Sequence, residues 1–146
     1  MIRLANKFDV PALVEMMRGY AAQSPMPELA DPANHDEHHV RDLLMSLIAG
    51  RGFVLIDDKS RGMLAAIVVP NVWCPAVLEL KELAWWVEPA HRDGSIGGRL
   101  FIKFNEIAKT YLESGRVQSI CMSLLENSSL KTLPGYKKIE STFLRA

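Results

Sequence analysis

This 146-residue sequence has no surplus of either charge, no paired-cysteine motif and no apolar run long enough to cross a bilayer. Lys plus Arg number 17 and Asp plus Glu number 17, so the formal net charge is zero. Nucleic acids and anionic membranes demand a positive surplus, so neither is expected as a partner, although one local basic patch remains allowed. The two cysteines, Cys74 and Cys121, form no Cys-x-x-Cys spacing, which argues against a structural zinc site. Both lie in apolar stretches and read as buried free thiols, suited to a reducing compartment. The longest apolar run, Met63 to Pro70, falls far short of the ~20 residues that span a bilayer. Met1 to Lys7 has no apolar core of a secretory signal. Internal repeats, low-complexity tracts and linkers are also lacking. The expectation is a soluble, cytoplasmic protein with a single domain over 1–146.

What is present is ordinary globular composition, 49% apolar and 23% charged. A chain of this length buries roughly 70% of its unfolded surface and needs no metal or disulfide to fold. Residues 2–5 allow a short strand. Asp9 reads as an N-cap with Pro11 in the first turn, and Val10, Leu13, Val14 and Met17 follow at helical spacing until about Gln23. Ser24-Pro25-Met26-Pro27 breaks that helix. A second helix is predicted over about 35–49, closed by Gly50 and Gly52. Phe53–Ile56 and Met63–Val69 read as a hairpin, and Leu78–Val87 as a longer strand stopped by Pro89. A glycine-rich turn, 92–98, leads into a helix whose apolar side includes Leu100, Phe101, Phe104 and Ile107, ending at Gly115. Val117–Met122 reads as a strand, 127–133 as a short helix and 136–144 as a final strand or pair of strands. The order is that of a mixed α+β fold.

The turn at 92–98 is the chemically informative segment. Between a strand and a helix, it places free N–H groups at a helix N-terminus, where the dipole favours anions such as phosphate. Gly94, Gly97 and Gly98 permit positive φ and close approach of a ligand, and Arg92 adds a full charge. A turn that merely needs glycine is the plainer alternative. The Walker sequence Gly-Lys-Ser/Thr is absent, and the spacing does not fit the dinucleotide fingerprint.

The segment Val87-Glu88-Pro89-Ala90-His91-Arg92-Asp93-Gly94-Ser95-Ile96-Gly97-Gly98-Arg99-Leu100 resembles the acetyl-CoA motif of the GNAT superfamily of N-acetyltransferases. That motif runs Val-x-Pro-x-x-Arg/Gln-x-x-Gly-x-Gly/Ala into a helix with an early leucine. Asn127 followed by Gly135-Tyr136 resembles the second landmark of the family, and Trp85-Trp86-Val87 is similar to short members carried by bacteriophages and prophages. The resemblance implies the GNAT fold, a mixed, mostly antiparallel central sheet flanked by helices. It implies acetyl-CoA as cofactor, with CoA as product and no metal, and transfer to a primary amine by direct attack in a ternary complex. The acceptor, a small molecule or a protein, is not legible, and a homodimer is allowed. A weakly active or inactive CoA-binding module of an assembly is the other reading.

Carried over residue by residue, the resemblance makes Arg92 open the pyrophosphate loop and the amides of Asp93, Gly94, Ser95, Ile96, Gly97 and Gly98 hold the phosphates. Trp85 and Val87 offer backbone to the pantetheine arm, and Asn127 contacts that arm or the neighbouring helix. A backbone N–H in this stretch polarises the acetyl carbonyl. Ser95 stands where glycine is usual. No tyrosine lies between Asn127 and Gly135, where the family often carries its general acid. A base is needed to take the proton of the amine. Glu82 is the first candidate and Glu79 the second, against a plainer role as surface glutamates paired with a cation such as Lys81. A bulge in the strand would shift which face each occupies. His35 and His39 stand at i, i+4, but no second ligand cluster supports a metal, so a polar helix start is the expectation. The apolar loop around Trp73 reads as a pocket cover or an interface.

Overall fold

Apolar stretches that do not alternate need cover on both sides. In the computed structural model, which describes residues 1–145, the sheet has such cover. Among the described residues five strands lie side by side in chain order: β1 (Ile2–Leu4), β2 (Gly52–Asp57), β3 (Gly62–Pro70), β4 (Leu78–Val87) and β5 (Ser119–Cys121). The first four pair antiparallel, and β5 joins β4 parallel. Helices α1 (Val10–Ala22), α2 (Pro27–Ala30) and α3 (Glu37–Ser46) precede β2, and α4 (Ile96–Glu113) crosses from β4 to β5. No described helix is long and apolar enough to cross a membrane.

Alternation along β2 and β3 divides the core into two layers. Val54, Ile56, Met63, Ala65 and Ile67 pack with Leu13, Val14, Met16, Leu44 and Leu47 from the α1 and α3 side. Phe53, Leu55, Leu64 and Ala66 pack with Ile96, Leu100, Phe104 and Ala108 of α4. Phe104 is fully buried, and truncating such a side chain to alanine costs about 3–5 kcal/mol. Gly52 lets β2 pass β3, because a Cβ there would stand 2.0 Å from the Ala66 carbonyl oxygen.

Several sequence-based expectations are corrected. Asp9 precedes α1 but makes no side-chain cap to it. Its carboxylate accepts from the Arg3 guanidinium and the Asn6 N–H instead, tying β1 to the helix entry. The second helix starts two residues later than predicted, capped by Asp36, and ends in a π turn, Leu47–Arg51. The described residues contain no helix at 127–133 and no strand at 136–144. Ser128 Oγ accepts from the Leu130 N–H, a local bond that competes with helix, and Pro134 disfavours helical backbone before it. Ile139 and Phe143 stand 77% and 91% exposed, so the tail has no apolar cover to hold it as a strand. Cys74 is exposed, not buried, and Cys121 is half-buried.

Candidate active site

β4 and β5 pair at only three positions, Glu79 with Ser119, Leu80 with Ile120 and Lys81 with Cys121. Beyond them the strands part. At the same point β4 carries a bulge: Ala84 faces Ala65 and Glu82 faces Ala66, which leaves Leu83 unpaired. The extra residue exchanges the two faces. Before it, Leu78 and Leu80 pack on the α4 side; after it, Trp85 and Val87 do. Leu83 and Trp86 join the layer of α1.

The gap between the strands is a cleft of ≈ 630 Å³. Glu82, Trp85, Trp86 and Val87 line it from β4, and Ser123, Leu124, Leu125 and Asn127 from the chain after β5. Gly94, Gly97 and Gly98 close one end, and Tyr20 and Gln23 of the α1 end close the other side. The Glu88 N–H donates to the Arg61 carbonyl, toward β3. Backbone groups alternate along a strand, so Trp85 and Val87 turn theirs into the cleft. The Val87 carbonyl accepts there from Arg92 Nε at 2.8 Å.

Glu82 is 9% exposed, and one of its oxygens accepts from the Ser123 N–H at 3.1 Å. Burial pushes its carboxyl up to about 7, against the opposing pull of that hydrogen bond. Burial, and secondarily the Glu82 charge, push the Tyr20 phenol up to about 12. Glu79, the other candidate, lies outside the cleft. It accepts from Asn71 Nδ2 at 3.0 Å and approaches Lys81 Nζ at 4.0 Å. That is the pairing with Lys81 weighed as the plainer role, though the side chain is partly buried, 19% exposed, rather than facing solvent.

The predicted cradle has a more specific form than its composition suggested. A single 3-10 turn, Pro89–His91, precedes it, and α4 starts at Ile96 inside the glycine run. None of Gly94, Gly97 and Gly98 adopts positive φ. Their value is the missing side chain: a Cβ on Gly98 would meet nothing within 4 Å, and one on Gly97 would meet only Val87, at 3.5 Å. Ser95 makes no side-chain cap, which leaves the first amides of α4 open. Ile96 is buried in the core, so only its backbone can serve a ligand. The side chains of Asp93 and Ser95 do not line the cleft.

Arg92 folds back over the cleft wall. Its guanidinium lies 4.4 Å from the centre of a Trp86 ring, and Nη2 donates to Gln23 Oε1 at 3.1 Å. Asn127 Nδ2 donates to the Gln23 carbonyl at 3.1 Å. Gln23 thus fastens the loop and the chain after β5 to the end of α1. Trp86 sits against Gly19, where a Cβ would come within 2.7 Å of the indole. Sequence reasoning missed Tyr20 and Gln23, because the fading end of a helix carries no motif. Trp85 stacks on Phe101 at 5.6 Å, so its ring is structural and its backbone faces the cleft. His35 precedes the helix and holds its Nε2 2.7 Å from the Leu29 carbonyl oxygen, so the histidines do not share a helix face. The described residues hold no cluster of three metal-ligating groups. Val72 and Trp73 are each 94% exposed and do not line the cleft.

No family model matches the sequence, and no curated protein does. Solved structures do match. A predicted acetyltransferase from Clostridium acetobutylicum, solved with acetyl-CoA, aligns at TM-score 0.65 and 14% identity over 96% of this chain and 95% of its own. A GCN5-related N-acetyltransferase from Ralstonia eutropha aligns at 0.64 and 16% identity, covering 94% of this chain and 96% of its own. A GNAT family acetyltransferase from Staphylococcus aureus aligns at 0.57 and 17%, again covering 94% and 96%. With bulged β4, parallel β5 and the α4 crossover in place along nearly the whole chain, the protein has the fold of the GNAT acetyltransferases.

Proposed function

We propose that the protein is an acetyl-CoA-dependent N-acetyltransferase, moving an acetyl group to a primary amine of a small molecule or protein by direct attack in a ternary complex. The observation that carries this reading is the cleft itself, with open helix amides at one end and a buried carboxylate where the strands part. Gly97 and Gly98 leave room for phosphates beside the first amides of α4. Arg92 bonds only neutral acceptors, so its full charge is available to an anion. Val87 to Glu82 spans five strand residues, about 16 Å at ~3.3 Å each, comparable to an extended pantetheine arm. The Trp85 and Val87 backbone lies along that path.

The thioester supplies the acetyl carbon: the amine nitrogen bonds it, the C–S bond breaks, and the thiolate leaves to be protonated by solvent. Glu82 accepts the proton of the nitrogen. A carboxylate raised to about 7 is ionised enough at neutral pH to act and basic enough to hold the proton. No covalent acyl-enzyme is needed, and Cys121 has its thiol pushed up by burial, which disfavours the nucleophilic thiolate. Free thiols at Cys74 and Cys121 suit a cytoplasmic setting.

The test is calorimetric titration with acetyl-CoA and with CoA. Micromolar binding is expected, strongly weakened in Arg92→Ala and Gly97→Glu. Absence of binding to the wild-type chain, or unchanged affinity in both variants, overturns the assignment.

A further inference from the structure

Arg92 and the pantetheine arm compete for one oxygen. The Val87 carbonyl faces the cleft, where the arm would use it as an acceptor. In the structure Arg92 Nε donates to that carbonyl at 2.8 Å. A guanidinium bonded at this distance covers the oxygen, so an amide N–H coming along the cleft finds its acceptor taken. The same guanidinium lies 4.4 Å from the centre of the Trp86 ring, on the cleft wall.

Gln23 holds the guanidinium there. Its Oε1 accepts from Arg92 Nη2 at 3.1 Å, and its main-chain carbonyl accepts from Asn127 Nδ2, also at 3.1 Å. The residue caps the end of α1, with its own N–H directed back to the Tyr20 and Ala21 carbonyls. It is a post fixed by main chain, from which an exposed side chain reaches across to the loop. All three partners of Arg92 are neutral: a carbonyl, an amide and a ring. An anion offers the cation more, because it adds charge attraction and a fit to both arms of the guanidinium. The glycine turn beside Arg92 leaves room for one.

We infer that Gln23 is a positioning residue that holds Arg92 on the Val87 carbonyl, so that the acceptor for the arm is freed only when an anion at the glycine turn takes Arg92 over. This rests on the proposed transferase reading and states what that site selects. A thioester carrying a diphosphate exchanges one partner of Arg92 for a better one and gains the carbonyl. A short pantetheine thioester has nothing to exchange and meets a covered oxygen. Gln23 thereby couples the two ends of the cleft.

The experiment titrates the full chain with pantetheine in reducing buffer, with and without saturating inorganic pyrophosphate, read by NMR shifts. Wild-type protein should bind pantetheine at least about fivefold more tightly when pyrophosphate is present, and pyrophosphate should gain by the same factor from pantetheine. Gln23→Ala should bind pantetheine alone about threefold or more tightly than wild type and show less coupling, because the covered form is less populated. Gln23→Glu gives Arg92 a charged partner and should weaken pantetheine alone. Pantetheine is uncharged, so this loss is not repulsion, and opposite effects of two substitutions at one exposed position are not general loosening. Pantetheine affinity that ignores pyrophosphate in the wild-type chain overturns the inference. So does an affinity unchanged in Gln23→Ala, or one that moves the same way in both variants. No saturation by pantetheine up to about 50 mM with pyrophosphate present, a limit well beyond millimolar affinity, overturns it as well. Acetyl-CoA titration of the same samples separates the two readings. Acetyl-CoA binding without coupling of the fragments breaks the role of Gln23 alone, and coupling without acetyl-CoA binding breaks the transferase proposal alone.

Discussion

β4 holds two glutamates three residues apart, and its two halves treat them differently. From Leu78 to Lys81 the strand has a neighbour on each side. There Glu79 is partly buried, its side chain 19% exposed, and is tied by Asn71 and Lys81. From Glu82 to Val87 it has β3 alone, with the cleft on its open edge. There Glu82 is buried with a single N–H for company. Residue type decides neither role. The bulge at Leu83 and the early end of β5 do, because together they leave backbone and a carboxylate facing the same gap.

The sharpest way to break this contrast is to exchange the two glutamates for glutamines. Glu82→Gln should lower turnover by about 100-fold or more, the usual worth of a positioned base. It should also remove the rise of rate with pH expected of the wild-type chain through about 7, read by thiol release. The next effect is at the loop end of the open half. Gly97→Glu should weaken acetyl-CoA by roughly 30–100-fold in calorimetry, since a Cβ there meets only Val87, which lets the protein fold while a charge enters the proposed phosphate cradle.

A third expectation concerns stability. The carboxyl of Glu82 rises from an ordinary 4.5 to about 7 in the folded chain, so the native state binds its proton more tightly than the unfolded one. Its favourable contribution is therefore complete below about 4.5 and is lost as pH rises through about 7. Glu82→Gln should be more stable than wild type at pH 8 by on the order of 2 kcal/mol, with the gap closing near pH 4, in denaturant melts. The smallest effect belongs to the closed half: Glu79→Gln should change turnover by less than about twofold and stability by about 0.5 kcal/mol, in line with an ion pair whose lysine is half exposed. A large loss in Glu79→Gln would mean that the contrast between the halves is false.

Much of this arrangement was legible in the sequence, and for identifiable reasons. β4 falls at Leu78–Val87 as read, because a stretch that begins by alternating apolar and charged residues, continues into Ala84–Val87 and stops before Pro89 has little alternative. The helix after the glycines follows from Leu100, Phe104 and Ala108 at helical spacing. The bulge left no local mark. Leu83 is an ordinary strand residue, and only its pairing with β3 reveals that one residue is extra. Glu82 could be named a candidate, but its burial could not. Tyr20 was hidden because the rest of the cleft lies far away in the chain, and sequence spacing carries no trace of that meeting. The segment after Asn127 misled by composition: leucines at near-helical intervals count for little when Ser128 bonds its own backbone and nothing covers the side chains.

Trp86 lies where three of these features meet, with Gly19 against its ring, Glu88 accepting from its Nε1 at 3.2 Å and the Arg92 cation on its face. An indole in such a polar, charged contact is an optical probe already in place. A ligand that draws Arg92 off the ring alters both the emission wavelength and the quenching of that indole. Trp73, standing 94% exposed on its loop, contributes only a constant solvent-like background. With Trp73 replaced by phenylalanine, the remaining emission comes from Trp85 and Trp86, which both line the cleft, and occupancy becomes readable as a change of colour and intensity, without label or coupled assay.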